Sequence, residues 1–200
     1  NNCRLYFGPS AELLKSFDEK DLRLQAFFVP SKTSGATHVP VKYKPSRVTT
    51  NKMATGGMVS DVYLIRLAEV YLNKAEALAM QGKDEEARLV IQSLREKRFK
   101  PEDLTSLDQY SGEKLVEFIR EERRRELCFE GHRWFDLRRQ GMPEIKHTYK
   151  AEKGGAVYEY VLQQGDPMYT IPFPNSVVLQ NRALVQNPSR EMGARQGEIQ

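Results

Sequence analysis

The stretch EERRRELCFEGHRWFDLRRQG, residues 121–141, carries two carboxylates where a helix should carry its apolar stripe. At about 100° per residue, one side of the helix that runs into this stretch collects Leu115, Phe118, Ile119 and Phe129. Glu122 and Glu126 fall in the middle of that same side. Acids on a face that packs into a core need partners, because an unpaired buried charge is very unfavourable.

Two interpretations of these acids compete. Carboxylates four residues apart on a helix lie about 5 Å from each other, which is the spacing of the two acids of a retaining glycosidase, and burial would raise the pKa of one of them. Arginines crowd the same helices at Arg120, Arg123, Arg124, Arg125 and Arg133. A guanidinium within reach would keep both carboxylates ionised and unfit for proton transfer. The sequence therefore favours an internal ion-pair network over a catalytic pair.

We expect this network to be structural and the chain not to be an enzyme. Arg66, on an earlier helix, is the candidate donor to Glu122 and Glu126, because a guanidinium can bind a carboxylate through two parallel hydrogen bonds. The predicted structural charge network comprises Arg66, Glu122, Arg123, Glu126, Glu130, Arg133 and Asp136. No catalytic residue is assigned.

The composition is that of a globular chain with one core. Of the 200 residues, 40% are hydrophobic and 10% aromatic, which is enough to bury a core in one domain. The 31 basic and 27 acidic residues give a net charge of +4, a mixture too even to indicate nucleic-acid binding. No apolar run approaches the roughly 18 residues of a membrane span. The chain starts without a Met or a signal peptide, so we expect a processed chain or a piece of a longer one.

Motifs for metals, nucleotides and activated nucleophiles are missing from the sequence. Cys3 and Cys128 form no CxxC pair, and His132 and His147 stand in no HExxH motif. No GxSxG elbow and no glycine-rich phosphate loop opens a helix. We therefore expect neither a metal site nor a cofactor. Trp134, on a short amphipathic stretch, is expected in the core rather than in a ligand platform.

Hydrophobic periodicity divides the chain into three segments. Residues 1–60 are a predicted loop-rich lead-in whose one helix-like stretch is SAELLKSF. Residues 61–141 are predicted to form two helical pairs, with helices within 61–82, 85–98, 113–130 and 132–140. Residues 142–200 should form a small β-hairpin around a Gln-Gly-Asp-Pro turn at 164–167, followed by an extended segment. We expect one domain overall, as part of a larger protein.

The first helical pair has the spacing of a tetratricopeptide repeat, whose period is about 34 residues. The pattern of large, small and turn positions is Tyr71, Ala75, Leu78, Gly82, Ala87, Ile91 and Leu94. Leu64 and Leu67 extend the predicted inward stripe of the first helix, and Asp84 and Ser111 are predicted caps of the second and third helices. The predicted fold class is mostly α, with tetratricopeptide-like helix pairs in an α-α superhelix. A chance helical hairpin is the alternative.

Three stretches of the chain resemble, in order, parts of the SusD/RagB family of nutrient-binding outer-membrane lipoproteins. They are residues 63–78, 121–139 and 169–188, and the resemblance spans roughly residues 60 to 190. The middle one fits the family pattern ER..EL..EG.R..DL through Glu122, Arg123, Glu126, Leu127, Glu130, Gly131, Arg133, Asp136 and Leu137. The closing pattern is matched by Pro172, Asn181, Leu184, Gln186, Asn187 and Pro188. Only the C-terminal half of the family is matched.

This resemblance implies a helical protein that captures glycans or peptides at the cell surface. Such a protein caps a SusC-like TonB-dependent outer-membrane barrel and is anchored by a lipidated cysteine, which we expect outside this chain. The resemblance transfers a fold and a class of function but no binding site. Exposed candidates for ligand contact are Tyr43, Lys44, Arg47 and Tyr110, because they lie in segments predicted to be loops. The alternative is a tetratricopeptide scaffold that binds proteins and no small ligand.

Overall fold

The computed structural model of the protein describes residues 8–30, 37–42, 65–150, 155–181, 183–191 and 197–199. The chain divides into two compact units, residues 1–129 and 130–200. The boundary lies inside the segment 61–141, which is predicted to form two helical pairs. The described part is largely helical with small sheets, which confirms the predicted fold class. The tetratricopeptide assignment stays a prediction.

The lead-in contains more regular structure than the sequence predicted. Helix α1 (Ala11–Ser16) is the expected one, and a second helix, α2 (Leu22–Phe27), follows it. Strand β1 (Phe28–Pro30) pairs antiparallel with β2 (His38–Pro40). Asp21 caps α2, because its side chain accepts a hydrogen bond from the amide of Arg23 at 2.9 Å. The sequence analysis named no helix at α2, whose residues LRLQAF run directly into strand β1.

Helices α3 (Leu67–Met80), α4 (Asp84–Arg95) and α5 (Gly112–Glu126) form the centre of the first unit. Asp84 is the first residue of α4 rather than its cap, and its carboxylate accepts a hydrogen bond from the amide of Gly112 at 2.8 Å. Ser111 does occupy the cap position of α5, but its side chain makes no capping hydrogen bond.

Helix α5 ends four residues earlier than predicted. The backbone leaves the helix after Glu126, and Phe129 and Gly131 both adopt left-handed conformations, with φ of +64° and +82°. Glycine adopts such a conformation at little cost, whereas a phenylalanine rarely does. Helix α6 (His132–Arg139) follows this break and belongs to the second unit.

The core of the first unit lies between α3, α4 and α5. Six side chains in it have no exposed surface: Leu72, Ala75, Ala87, Ile91, Leu115 and Ile119. The predicted inward stripe of α4 is confirmed, but that of α3 was wrong at Leu67, whose side chain is 71% exposed. The helix instead buries Ala68, Leu72, Ala75 and Ala79. Apolar residues surround most of α3, so their periodicity could not select the face that meets two neighbouring helices.

The second unit holds a three-stranded antiparallel sheet. Its order is β3 (Ile145–Lys150), β4 (Val157–Leu162) and β5 (Glu198–Ile199). The predicted hairpin around 164–167 was therefore misplaced, because β4 pairs with the strand before it. The Gly-Asp-Pro sequence instead starts a short 3-10 helix, Pro167–Tyr169, whose first turn is capped by Asp166 through the amide of Met168 at 2.8 Å.

Tyr169 and its neighbours form a second buried centre. The ring of Tyr169 is fully buried and stacks on Trp134, with 4.9 Å between ring centroids and 22° between ring planes. Its hydroxyl donates to the backbone oxygen of Pro143. Further along, helix α7 (Asn175–Gln180) precedes an extended segment in which Gln186 hydrogen-bonds both the amide and the carbonyl of Phe173.

Because α3 packs closely against α4, a larger residue at a buried position of α3 should destabilise the fold. Ala75→Leu should lower the free energy of unfolding by about 1 to 3 kcal/mol, because added methylene groups have no space in a filled core. Ala77→Leu places the same side chain on the exposed side of the same helix and should change stability by less than about 0.5 kcal/mol. Urea denaturation of both variants measures the difference, and equal stabilities would contradict the assigned packing.

Candidate functional site

A buried charge network occupies the end of the helical cluster in the first unit. We use this name for three carboxylates and four guanidiniums, those of Asp21, Glu122 and Glu126 with Arg23, Arg66, Arg98 and Arg125. The side chains of Glu122 and Glu126 are each only 1% exposed. The structure thus places both acids on the packed face of α5, where the helical period put them.

Arg23 lies at the centre of the network and contacts all three carboxylates. Its Nη2 atom lies 2.7 Å from Asp21 Oδ2 and 2.7 Å from Glu122 Oε1. Its Nη1 atom donates to Glu126 Oε2 at 2.9 Å. The contact with Glu122 Oε1 is a close ion pair without hydrogen-bond alignment. One guanidinium from α2 therefore joins a helix cap to two turns of α5.

Glu126 receives guanidinium groups from three different elements. Arg98, just after α4, forms a bidentate interaction with Glu126 in which its Nε and Nη2 atoms each donate at 2.8 Å. Arg66, at the start of α3, donates from Nη1 at 3.1 Å. Together with Arg23, these contacts gather α2, α3 and the end of α4 around the last residue of α5. The sequence had named Arg66 for this place but had not anticipated Arg23 or Arg98.

Glu122 is held from its own helix and from α2. Arg125 donates to Glu122 Oε2 from Nε at 3.1 Å and from Nη2 at 2.7 Å. The same guanidinium donates from Nη1 to the backbone oxygen of Ser16 at the end of α1, at 3.1 Å. Arg125 therefore connects the network to the lead-in as well.

Electrostatics keep both glutamates ionised. Burial alone would raise the pKa of Glu126, but hydrogen bonds and positive charge from Arg98 and Arg23 outweigh it and hold that pKa at about 2. Burial also opposes ionisation of Glu122, yet the charges of Arg23 and Arg125 lower its pKa below the usual range. Neither carboxyl carries a proton to donate at neutral pH, so the pair lacks the acid that a glycosidase requires.

The carbonyl end of α5 is covered by cations. Lys42 donates from Nζ to the backbone oxygens of Glu126 and Cys128, at 2.5 and 3.1 Å. Arg66 Nη2 donates to the backbone oxygen of Glu126 at 3.0 Å. The last carbonyls of a helix have no partner within the helix and carry a partial negative charge, so these contacts stabilise the helix end.

A shallow cavity of about 360 Å³ opens beside Glu126. Its lining comprises Leu22, Arg23, Ala26, Phe27, Lys42, Arg66, Lys97, Arg98 and Glu126. Three of the arginines that line it already donate to the carboxylate of Glu126. The cavity is therefore the outer side of the charge network, and its guanidiniums serve the fold.

Other predicted members of the network lie elsewhere. Arg123 joins α5 to α3, because its Nη1 atom donates to Asn73 Oδ1 at 2.7 Å. Asp136 lies in the second unit and accepts a hydrogen bond from Arg139 Nε at 3.0 Å. Glu130 and Arg133 belong to the second unit too, at and after the break that precedes α6.

The predicted ligand contacts are placed only in part. Tyr43, Lys44 and Arg47 lie outside the described residues. Tyr110 is half-buried, and its ring packs on Phe118 with 4.5 Å between centroids. These four assignments remain predictions.

The described residues show neither a cluster of metal ligands nor a membrane-spanning helix. No group of three or more His, Cys, Asp or Glu side chains there is arranged to hold a metal ion. No helix in the described ranges combines the length and the apolar content that crossing a bilayer demands.

Comparison with known proteins identifies the family. A profile of the SusD family matches residues 29–189. The chain belongs to the SusD family. The SusD-like protein P38 of Formosa agariphila is 37% identical over 85 residues, which make up 39% of this chain and 16% of that protein.

Solved structures of SusD-like proteins share the fold. A SusD-like carbohydrate binding protein from Bacteroides vulgatus aligns with a TM-score of 0.61 at 19% identity, covering 89% of this chain and 41% of that one. A SusD-like protein from Bacteroides fragilis aligns with a TM-score of 0.50 at 28% identity, covering 64% of this chain and 26% of that one. The chain thus spans less than half the length of these relatives.

Removal of one carboxylate tests the charge network. Glu126→Ala leaves three guanidiniums without their shared acceptor and should lower the free energy of unfolding by about 3 to 5 kcal/mol. Glu121→Ala is the matched control, since Glu121 is partly exposed and lies 3.6 Å from Arg124 in a surface pair of small energetic value. Chemical denaturation compares the two, and an unchanged midpoint for Glu126→Ala would show that the carboxylate is not buried.

Acid should weaken the fold through the same residue. The pKa of Glu126 is about 2 in the folded state, below the ordinary 4.5. Its contribution is therefore fully present above about pH 4.5 and is lost as the pH falls through about 2, a change of about 3 kcal/mol. Denaturation between pH 7 and pH 2 measures this slope. Glu126→Gln cannot titrate and should show a shallower slope, and an equal slope would contradict the assignment.

Proposed function

We propose that the protein is a SusD-like subunit that captures oligosaccharides or peptides at the cell surface and passes them to a SusC-like TonB-dependent barrel. The observation that carries this proposal is the family match over residues 29–189. The fold shared with a SusD-like carbohydrate binding protein from Bacteroides vulgatus is consistent with it. The place of action is the outer membrane, with the protein as a surface lipoprotein.

On this proposal the chain binds its ligand without converting it. The two acids whose spacing resembles a glycosidase pair are ionised and bound by arginines. A capture protein needs a rigid frame that presents a surface, and the buried charge network supplies such rigidity to the first unit. Nucleic acid is not a proposed ligand, because the 31 basic residues are nearly balanced by 27 acidic ones.

A scaffold for protein partners is the second candidate. Ile65, Leu67 and Val70, at the start of α3, carry exposed apolar side chains, with 80% of Ile65 exposed. Several exposed apolar side chains within one short stretch favour a protein-binding surface. On this view the helical pairs would grip a partner and no small ligand would be bound.

Isolation of the native assembly tests the proposal against the scaffold. The complete native gene product is purified by affinity from detergent-solubilised membranes, and the proteins that accompany it are identified by mass spectrometry. We expect a large TonB-dependent barrel in roughly equal amount. An unrelated outer-membrane lipoprotein carrying the same tag is the control. A soluble partner in place of the barrel would favour the scaffold and contradict the capture role.

A further inference from the structure

One face of the β3–β4 pair collects aromatic side chains. Residues that face each other across the pair are Ile145 with Leu162, His147 with Tyr160, and Tyr149 with Tyr158. Alternate residues of a strand point to the same side, so these six side chains share one face. We call it the tyrosine face. The sequence shows YEY in β4, but only the register places His147 and Tyr149 beside it.

The rings of this face are accessible and compactly placed. Tyr149 is 46% exposed, His147 is exposed, and Tyr158 and Tyr160 are half-buried. Their Cα positions span about 7 Å along the strands and about 5 Å across them, since alternate residues and neighbouring strands have those spacings. Rings on such a patch present flat apolar surface on the scale of a sugar ring.

The polar groups of this face suit hydroxyl-bearing ligands. No hydrogen bond joins the hydroxyl of Tyr149, Tyr158 or Tyr160 to any part of the chain that the structure describes. A phenol hydroxyl both donates and accepts a hydrogen bond, and so does each hydroxyl of a sugar. The tyrosine face can therefore pair stacked rings with hydrogen bonds, which is how binding sites combine apolar walls with a few polar contacts.

The two faces of the β3–β4 pair differ in their content of charged side chains. The tyrosine face contains no Asp, Glu, Lys or Arg among its six side chains. The opposite face includes Lys146 and Glu159. A charged ligand on the tyrosine face would lose water without gaining an ion pair, which is unfavourable. The electrostatic complement of this face is thus a neutral ligand.

Tyr160 has a structural task in addition. A Cβ atom at Gly197 would lie 2.8 Å from Tyr158 Cβ and 2.8 Å from Tyr160 Cε2. The ring of Tyr160 therefore covers a glycine of the segment that leads into β5, a contact that helps to fix strand register. Tyr149, the most exposed tyrosine of the face and farthest from this contact, is the ring best suited to a ligand.

We propose that the tyrosine face binds a neutral oligosaccharide, with a sugar ring stacked on Tyr149 and hydroxyls bonded to the neighbouring phenols. This inference rests on the proposed function and narrows it, because that function includes glycans and peptides of any charge. It also assigns ligand contact to residues of the second unit, in addition to the predicted contacts Tyr43, Lys44, Arg47 and Tyr110.

Calorimetric titration with defined probes tests this site. The complete native gene product is titrated with the neutral probes maltohexaose, cellohexaose and xylohexaose, and with hexagalacturonate as a charged probe. We expect at least one neutral probe to bind. Tyr149→Ala should weaken that binding about tenfold, while Tyr149→Phe keeps the ring and should weaken it by no more than about threefold.

A matched control lies on the same strand. Thr148→Ala changes an exposed residue on the opposite face and should leave affinity unchanged. Thermal unfolding of each variant verifies that the fold is intact. Absence of binding by every neutral probe overturns the inference, and so does equal affinity in Tyr149→Ala and the parent protein. If the TonB-dependent barrel co-purifies but either of these two results is obtained, the proposed function stands and only this site is rejected.

Discussion

Arg23, Glu122 and Glu126 are charged groups almost without contact with water, and each depends on the others. Burial of any one of them alone would be strongly unfavourable, and their mutual distances of 2.7 to 2.9 Å make the arrangement tolerable. The geometry is demanding, because Arg23 must reach Asp21 as well. A chain that satisfies these contacts has α2 and α5 fixed in one relative position.

The surrounding elements of the first unit follow from that constraint. Arg98 and Arg66 bring the end of α4 and the start of α3 to Glu126, and a backbone hydrogen bond of 3.0 Å joins the amide of Leu22 to the carbonyl of Arg98. The apolar contacts of the three helices provide the larger stabilisation by excluding water. The ion pairs decide how those helices are aligned, since dispersion and burial alone have little directional preference.

The buried charge network and the tyrosine face differ in their chemistry. The arginines around Glu126 bind its carboxylate, and Lys42 and Arg66 bind the carbonyl end of α5, so this cluster of charges supports the fold. The proposed recognition of a ligand relies instead on a surface that offers aromatic rings and hydroxyls. The tyrosine face of β3 and β4 has that chemistry, and its residues lie outside the buried charge network.

The sequence by itself determined the main helices, the burial of two acids on α5, the ion-pair character of their surroundings and the family. The helical period and the residue types carry that information. A spacing of four residues puts Glu122 and Glu126 on one face of α5 wherever that helix lies in the fold. Only the tertiary structure decided that Arg23 is their central partner, because it is 99 and 103 residues away along the chain and no local pattern marks it. The pairing of β3 with β4 was likewise hidden, since register depends on long-range contacts rather than on the turn residues that suggested another hairpin.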